Sequence, residues 1–451
     1  MSHMTSAHGF SRRQFLWGLG AAPFIPSFLP SYYELIAGER KRTKIRDLQV
    51  MIMQGPGRNY TLVKITSDAG LYGIAEAYGT PAVGVKEQVL SLKPWLVGKD
   101  PLEIDKLYTQ MGTGTSNLSG TRTDGSAHNL MRAVSGIEMA LWDLAGKTLD
   151  VPTSTLLGGK FRDKVRVYDH AGPRNMLDKA SCTDWAAKTK EHASGFTCHK
   201  FGMQTSAAPS GRGGPRPEGG PPPADGAPSG RGGRAEDPSR ILSPKQLVMV
   251  QQGFENCREA MGWDHDIMVH CSWNYDLRTS IQIADAVASS KPVWLEDPLP
   301  VDYSGSWKRL CEVSKVPICM GENLARREGF MDFILNQGAD IIHPDLRNSG
   351  GFLETKKVAD LAHIFGLPMA NHNTGSQVNT YASAQWALSI RDYVALETIT
   401  GDGGWMDQVL LLDGPYIKDG FIQATDKPGL GIELNPDVVR AHLASGEVWW
   451  G

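Results

Sequence analysis

The chain has 451 residues, 41% of them hydrophobic and 21% charged, a balance suited to one large folded domain plus a smaller one. Lys and Arg number 46 against 49 Asp and Glu, a net charge of -3, which leaves no electrostatic footprint for nucleic acid or an anionic membrane. The expected partner is therefore a small molecule.

At the N-terminus, Ser11-Arg12-Arg13-Gln14-Phe15-Leu16 precedes an uncharged, mostly apolar stretch from Trp17 to Pro30. A paired arginine before a short apolar region predicts a twin-arginine export signal and linker over residues 1–42, hence a periplasmic or other extracytoplasmic location. The alternative is a basic tail. The stretch is too short and too rich in Gly and Pro to span a bilayer, so the mature form is expected to lack a membrane span. Six cysteines include no Cys-x-x-Cys pair, which suggests neither a zinc ribbon nor a thioredoxin-type site. Several lie in apolar runs, where free buried thiols are expected.

From Ile45 to Ala77 two alternating runs flank Gly55-Pro56-Gly57, the pattern of an antiparallel hairpin or meander. Helical periodicity follows over Val83 to Leu92, Leu102 to Met111 and Leu130 to Leu149, the last placing Val134, Ile137, Leu141 and Leu144 on one face. Together these predict a small α+β domain over residues 43–160. Its loop Gly112 to Gly125 is rich in Thr, Ser and Asn, suited to hydroxyl groups of a substrate or to plain exposure.

From Val165 the texture changes. Short apolar runs recur, each closed by a polar or ionisable residue and followed by a helical stretch: Val165 to Tyr168, Phe196 to Lys200, Ile267 to His270, Val293 to Glu296, Ile318 to Glu322, Ile341 to Asp345, Pro368 to His372 and Val394 to Glu397. Later units repeat about every 25 residues, one strand plus one helix plus two short loops. Eight such units close a barrel of parallel strands, so an α/β fold is expected, a (β/α) barrel over residues 161–410. One interval is far longer. It holds a Pro/Gly/Arg-rich tract, 206–240, with Ala-Pro-Ser-Gly-Arg-Gly-Gly twice; such a composition predicts a disordered insertion. The tail, 411–451, contains an expected strand pair ending in Pro428-Gly429-Leu430-Gly431, read as a return to the small domain that completes it as a cap.

Catalytic groups converge at the C-terminal ends of barrel strands. There stand Lys200, His270, Glu296, Glu322, Asp345, His372 and Glu397. Carboxylates crowded into one cavity need compensation, and a divalent cation held by His270, Glu296 and Glu322 on successive strands would supply it. A buried salt-bridge network with Lys200 is the alternative. Asp345 and His372 on neighbouring strands form a carboxylate–imidazole pair, the construction of a general base. Lys200 would hold developing negative charge, or act as acid or base if burial lowers its pKa. His170 is a candidate acid for a leaving group, and Asn323, Asn371 and Arg347 are candidate substrate contacts.

Phe196 to Lys200, Trp294-Leu295-Glu296-Asp297-Pro298, Gly321-Glu322, Pro344-Asp345 with Gly350-Gly351, and His372 resemble the successive barrel motifs of the mandelate racemase/muconate lactonizing enzyme branch of the enolase superfamily. The resemblance runs from about residue 43 to the C-terminus. It implies a modified (β/α) barrel with an α+β cap, a Mg²⁺ that binds the substrate carboxylate, and proton abstraction beside that carboxylate. It also makes a homo-oligomer the expected assembly. Two departures stand out. The family's third strand usually ends in an Asp ligand where this chain has His270, which suits Mn²⁺ or another divalent ion better than Mg²⁺. Many members carry Lys-x-Lys where this chain has Lys200-Phe201-Gly202. A missing second base favours a one-base reaction, dehydration of a sugar acid to a 2-keto-3-deoxy acid, over racemisation or epimerisation of a hydroxy acid. A metal-free periplasmic binding protein is the rival from another class.

Overall fold

The computed structural model describes residues 43–55, 57–79, 84–113, 125–207, 240–399, 401, 403–423 and 425–450, with 113 and 125–128 as backbone only. The leader 1–42, most of the Gly112–Gly125 loop and residues 208–239 of the insertion lie outside the described residues.

Strands β1 (Ile45–Gly55), β2 (Arg58–Ser67) and β3 (Tyr72–Ala77) form an antiparallel sheet in chain order. Leu48 pairs with Ile65 and Met51 with Leu62, so the alternation seen in sequence puts apolar side chains in register. The helix Gly125–Leu149 lies on this sheet, with Val134, Ile137, Leu141 and Leu144 all buried. Approach is close enough to need glycine: a Cβ on Gly73 would stand 2.1 Å from the Ala140 carbonyl oxygen.

Eight parallel strands follow: β4 (Lys164–Tyr168), β5 (Cys198–Gly202), β6 (Asp266–His270), β7 (Leu295–Glu296), β8 (Ile318–Met320), β9 (Ile341–Ile342), β10 (Met369–Asn371) and β11 (Tyr393–Glu397). Each pairs with the next from β5 to β11, β11 pairs with β4, and a bridge between Asp169 and His199 closes the ring. Each strand, or for β7 the residue just before it, contributes one side chain to the interior cluster of Tyr168, Cys198, Met268, Trp294, Cys319, Ile341, Ala370 and Ala395. The barrel is thus a packed core with an open mouth at the strand ends.

The tail adds one strand to the barrel before it reaches the cap. β12 (Phe421–Gln423) pairs antiparallel with β4 rather than with the cap. The β4–β5 junction rests on a single bridge, which leaves the start of β4 as a free edge for this ribbon. Only beyond it does the chain return to the cap, where Ala444 N–H donates to the Ile52 carbonyl at 2.9 Å and Leu430 N–H to Asp143 at 2.7 Å.

Candidate active site

The mouth is organised around His372, just past β10 and nearly buried. Its Nδ1–H donates to Asp345 Oδ2 at 2.8 Å, and its Nε2 lies 3.2 Å from Glu322 Oε2 and 3.8 Å from Glu397 Oε2. Burial opposes the charged imidazolium, but Glu322, Glu397 and Asp345 outweigh it and push His372 up to about 9. Asp345 caps the turn that follows β9, accepting from Arg347 N–H at 2.9 Å. Burial works against its charge too, yet Arg347 and His372 hold the carboxyl well below its ordinary range.

Beside this pair stands a group of metal-competent donors. His270, Glu296, Asp297 and Glu322 each offer one atom, all within 4.8 Å of one another. His270 Nε2 lies 4.0 Å from Glu296 Oε1 and 3.9 Å from Asp297 Oδ2. His270 Nε2 and both Asp297 carboxylate oxygens are buried without a hydrogen-bond partner. Orphaned buried acceptors are costly, and a cation held at this group would relieve that cost. Burial lowers His270 to about 3 despite Glu296, so its imidazole is neutral and able to ligate near neutral pH. Burial, helped by Glu322 and Glu296, pushes Asp297 well up. Burial also lifts Glu322 to about 7 against the pull of His372 and Lys200. The residues present fit a divalent ion.

Below lies a second polar layer. Lys200 Nζ is 2.7 Å from Glu296 Oε1 and 3.1 Å from Glu397 Oε1. Desolvation alone would lower this lysine, but Glu296, Glu397 and Glu322 raise it above its ordinary value. It keeps its proton. The sequence-based alternative of Lys200 as a base loosened by burial is therefore corrected, because two buried carboxylates overrule desolvation. Glu397 accepts from His170 and, at 3.1 Å, from Tyr168 Oη. Both imidazoles, His170 and His372, thus flank one carboxylate, with His170 the more exposed.

Of the expected substrate contacts, Asn323 is half-buried in the turn after Glu322. Asn371 and Arg347 are engaged elsewhere. Asn371 accepts from Tyr393 Oη at 2.9 Å and donates to the Pro344 carbonyl at 3.4 Å. Arg347 is clasped between Asp345 (2.7 Å) and Glu76 (2.7 Å). Their polar atoms serve the wall of the site.

Asp297 and His343 escaped the sequence reading, which took only the last ionisable residue of each unit. Asp297 has φ +50°, so it leaves the strand alternation that would turn it outward. His343 is buried inside the barrel with Nε2 2.8 Å from Tyr168 Oη, and burial holds it down at about 4. A polar residue just before Pro344-Asp345 was the available signal.

Two family profiles match the chain: "Mandelate racemase / muconate lactonizing enzyme, N-terminal domain" over residues 39–158 and "Enolase C-terminal domain-like" over 189–438. The D-xylonate dehydratase of Haloferax volcanii is 33% identical over 416 residues, 91% of either chain. The D-galactarolactone cycloisomerase of Agrobacterium fabrum is 27% identical, covering 85% of this chain and 90% of that one. In structure, a mandelate racemase/muconate lactonizing enzyme-like protein from Rubrobacter xylanophilus superimposes with a TM-score of 0.77 at 26% identity, over 91% of this chain and 100% of the other. With both family domains present in order, and the barrel mouth they imply built from its own residues, the chain belongs to the enolase superfamily, as an enzyme of the mandelate racemase/muconate lactonizing enzyme type.

Proposed function

We propose that this enzyme dehydrates a sugar acid to a 2-keto-3-deoxy acid, with His372 as the base. The observation that carries the reading is the run of contacts Asp345–His372–Glu322. Asp345 holds Nδ1–H, and Nε2, 3.2 Å from Glu322 Oε2, faces the donor group where a substrate carboxylate would be drawn. His270, Glu296, Asp297 and Glu322 would hold the divalent ion, Mg²⁺ or, with an imidazole among the donors, Mn²⁺. When bound it supplies positive charge to the substrate carboxylate and to the charge that grows there during proton removal.

The rest falls to the chain's own residues. His372 Nε2 takes the α-proton while Asp345 stabilises the imidazolium. As the C–H bond breaks, its electron pair forms the α,β double bond and the β C–O bond cleaves. His170 gives the departing oxygen a proton, so that water leaves, and the enol relaxes to the ketone. Lys200 stays protonated and neutralises Glu296 and Glu397. That state supports a one-base elimination over an epimerisation, which needs a second base on the opposite face. The similarity to a dehydratase of D-xylonate supports an aldonic acid as substrate class. Ser11-Arg12-Arg13-Gln14-Phe15-Leu16 supports export by the twin-arginine route.

The test is proton NMR in D₂O of a panel of sugar acids with Mg²⁺- or Mn²⁺-loaded enzyme, beside His372→Asn. The expected result is loss of one substrate's α-proton signal with a deuterated 3-deoxy product, absent in the variant. Exchange or inversion without that product would replace this reading with an epimerase, and a metal-loaded variant as active as wild type would remove His372 from the role.

A further inference from the structure

Glu76 lies on β3 of the cap, 271 residues away from Arg347 in sequence, and is fully buried. Its Oε1 meets Arg347 Nη1 at 2.7 Å. Its Oε2 accepts from the Ser376 amide at 2.8 Å and the Ser376 hydroxyl at 2.5 Å. Arg347 then grips Asp345 twice, Nη2 to Oδ2 at 2.7 Å and Nε to Oδ1 at 3.1 Å, with its guanidinium 4.6 Å from the centroid of the Tyr78 ring. Asp345 Oδ2 in turn accepts Nδ1–H of His372. Four buried side chains form a single file from the cap to the base.

We infer that Glu76 is a positioning residue for proton abstraction: acting through Arg347, it fixes the Asp345 carboxylate and with it the tautomer and ring orientation of His372. A guanidinium is planar and forked, so a carboxylate on each edge sets its rotation as well as its place. With Asp345 as its only carboxylate the fork could swing, and Asp345 with it. The space offers no relief, since a Cβ on Gly375 would stand 2.8 Å from both Glu76 Oε1 and Arg347 Nη1. The base is thereby competent only where β3 of the cap is docked on the barrel. The inference rests on the reading of His372 as the base.

The experiment is steady-state kinetics on the metal-loaded full chain for wild type, Glu76→Gln, Asp345→Asn and the double variant, with calorimetric Mn²⁺ titration of each. Misplacing a catalytic group by about 1 Å costs about 100-fold, so Glu76→Gln should lower kcat by about 100-fold with KM and metal affinity within about threefold. In the Asp345→Asn background the same change should cost nothing further, because the route to His372 is already cut. A merely structural glutamate would lose activity additively in both backgrounds, and that result overturns the inference, as does an unchanged kcat. If Glu76→Gln does not fold, Glu76→Asp keeps the charge but withdraws it from Arg347, and the same comparison decides. Wild type that exchanges no sugar-acid α-proton with metal bound would instead refute the dehydratase reading itself.

Discussion

Replacing Lys200 by Met removes one charge from the floor of the site while keeping the length of the side chain. Its ammonium lies 2.7 Å from Glu296 and 3.1 Å from Glu397, with none of the three side chains more than 2% exposed. Two buried carboxylates would lose their cation, and breaking a buried pair from one side costs about 3–5 kcal/mol. The pH dependence gives the argument a sign. In the wild type Lys200, with His343 and His270, overcomes burial and holds Glu296 at about 2. That carboxylate contributes stability above the ordinary glutamate pKa of about 4.3, and the contribution is lost as pH falls toward 2. Without Lys200, burial prevails, and the folded pKa should rise above the unfolded one. Stability is then kept below about pH 4 and lost as pH rises. Urea unfolding of metal-depleted protein, followed by tryptophan fluorescence, checks both points. Lys200→Met should lose about 3–5 kcal/mol at pH 8 and clearly less at pH 5. A loss below about 1 kcal/mol at pH 8, the size of an exposed pair, or an equal loss at both pH values, would refute this role for Lys200.

Two further outcomes follow from the mouth. Asp297→Asn keeps the volume and removes the charge, and should weaken Mn²⁺ binding by about 10–100-fold in calorimetric titration, the range for groups that support a metal; an unchanged Kd would exclude Asp297 from the donor group. His372, lifted to about 9 by Glu322, Glu397 and Asp345 against burial, should titrate near that value by ¹⁵N NMR of metal-depleted protein. A divalent ion that claims Glu322 should lower the midpoint, and a midpoint indifferent to metal would show that Glu322 is not shared.

Much of this site was legible in the sequence because a parallel barrel turns every strand the same way. His270, Glu296 and Glu397 close their strands, and Glu322, Asp345 and His372 come within three residues of a strand end. A period of strand plus helix therefore points at one cavity before any coordinates exist. What stayed hidden has distinct physical causes. Asp297 reaches the mouth through a positive φ that breaks the two-residue alternation, and a carboxylate after a strand carries no mark of it. The state of Lys200 depends on two carboxylates, Glu296 and Glu397, whose distance from it no spacing encodes. Glu76 is remote in sequence and sits in a different domain, so only packing of the cap against the barrel brings it to Arg347. The tail returns to the cap as expected, but β12 first adds to the free start of β4, a pairing that nothing in its three residues encodes.

A neutral His270 would bring no negative charge to the donor group, in which a carboxylate oxygen of Asp297 lies 3.9 Å from its Nε2. Burial together with Glu322 and Glu296 pushes Asp297 well up, and burial lifts Glu322 to about 7; Glu322 is therefore a proton-binding group near neutral pH. A divalent cation in their midst competes with protons for the same oxygens, since ligands must be deprotonated to bind. Metal uptake at this group would release protons and tighten as pH rises, and the neutral imidazole of His270, lowered to about 3, would stay available across that range. As a ligand, His270 would not titrate in this range, which would leave the pH response of the site to Glu322.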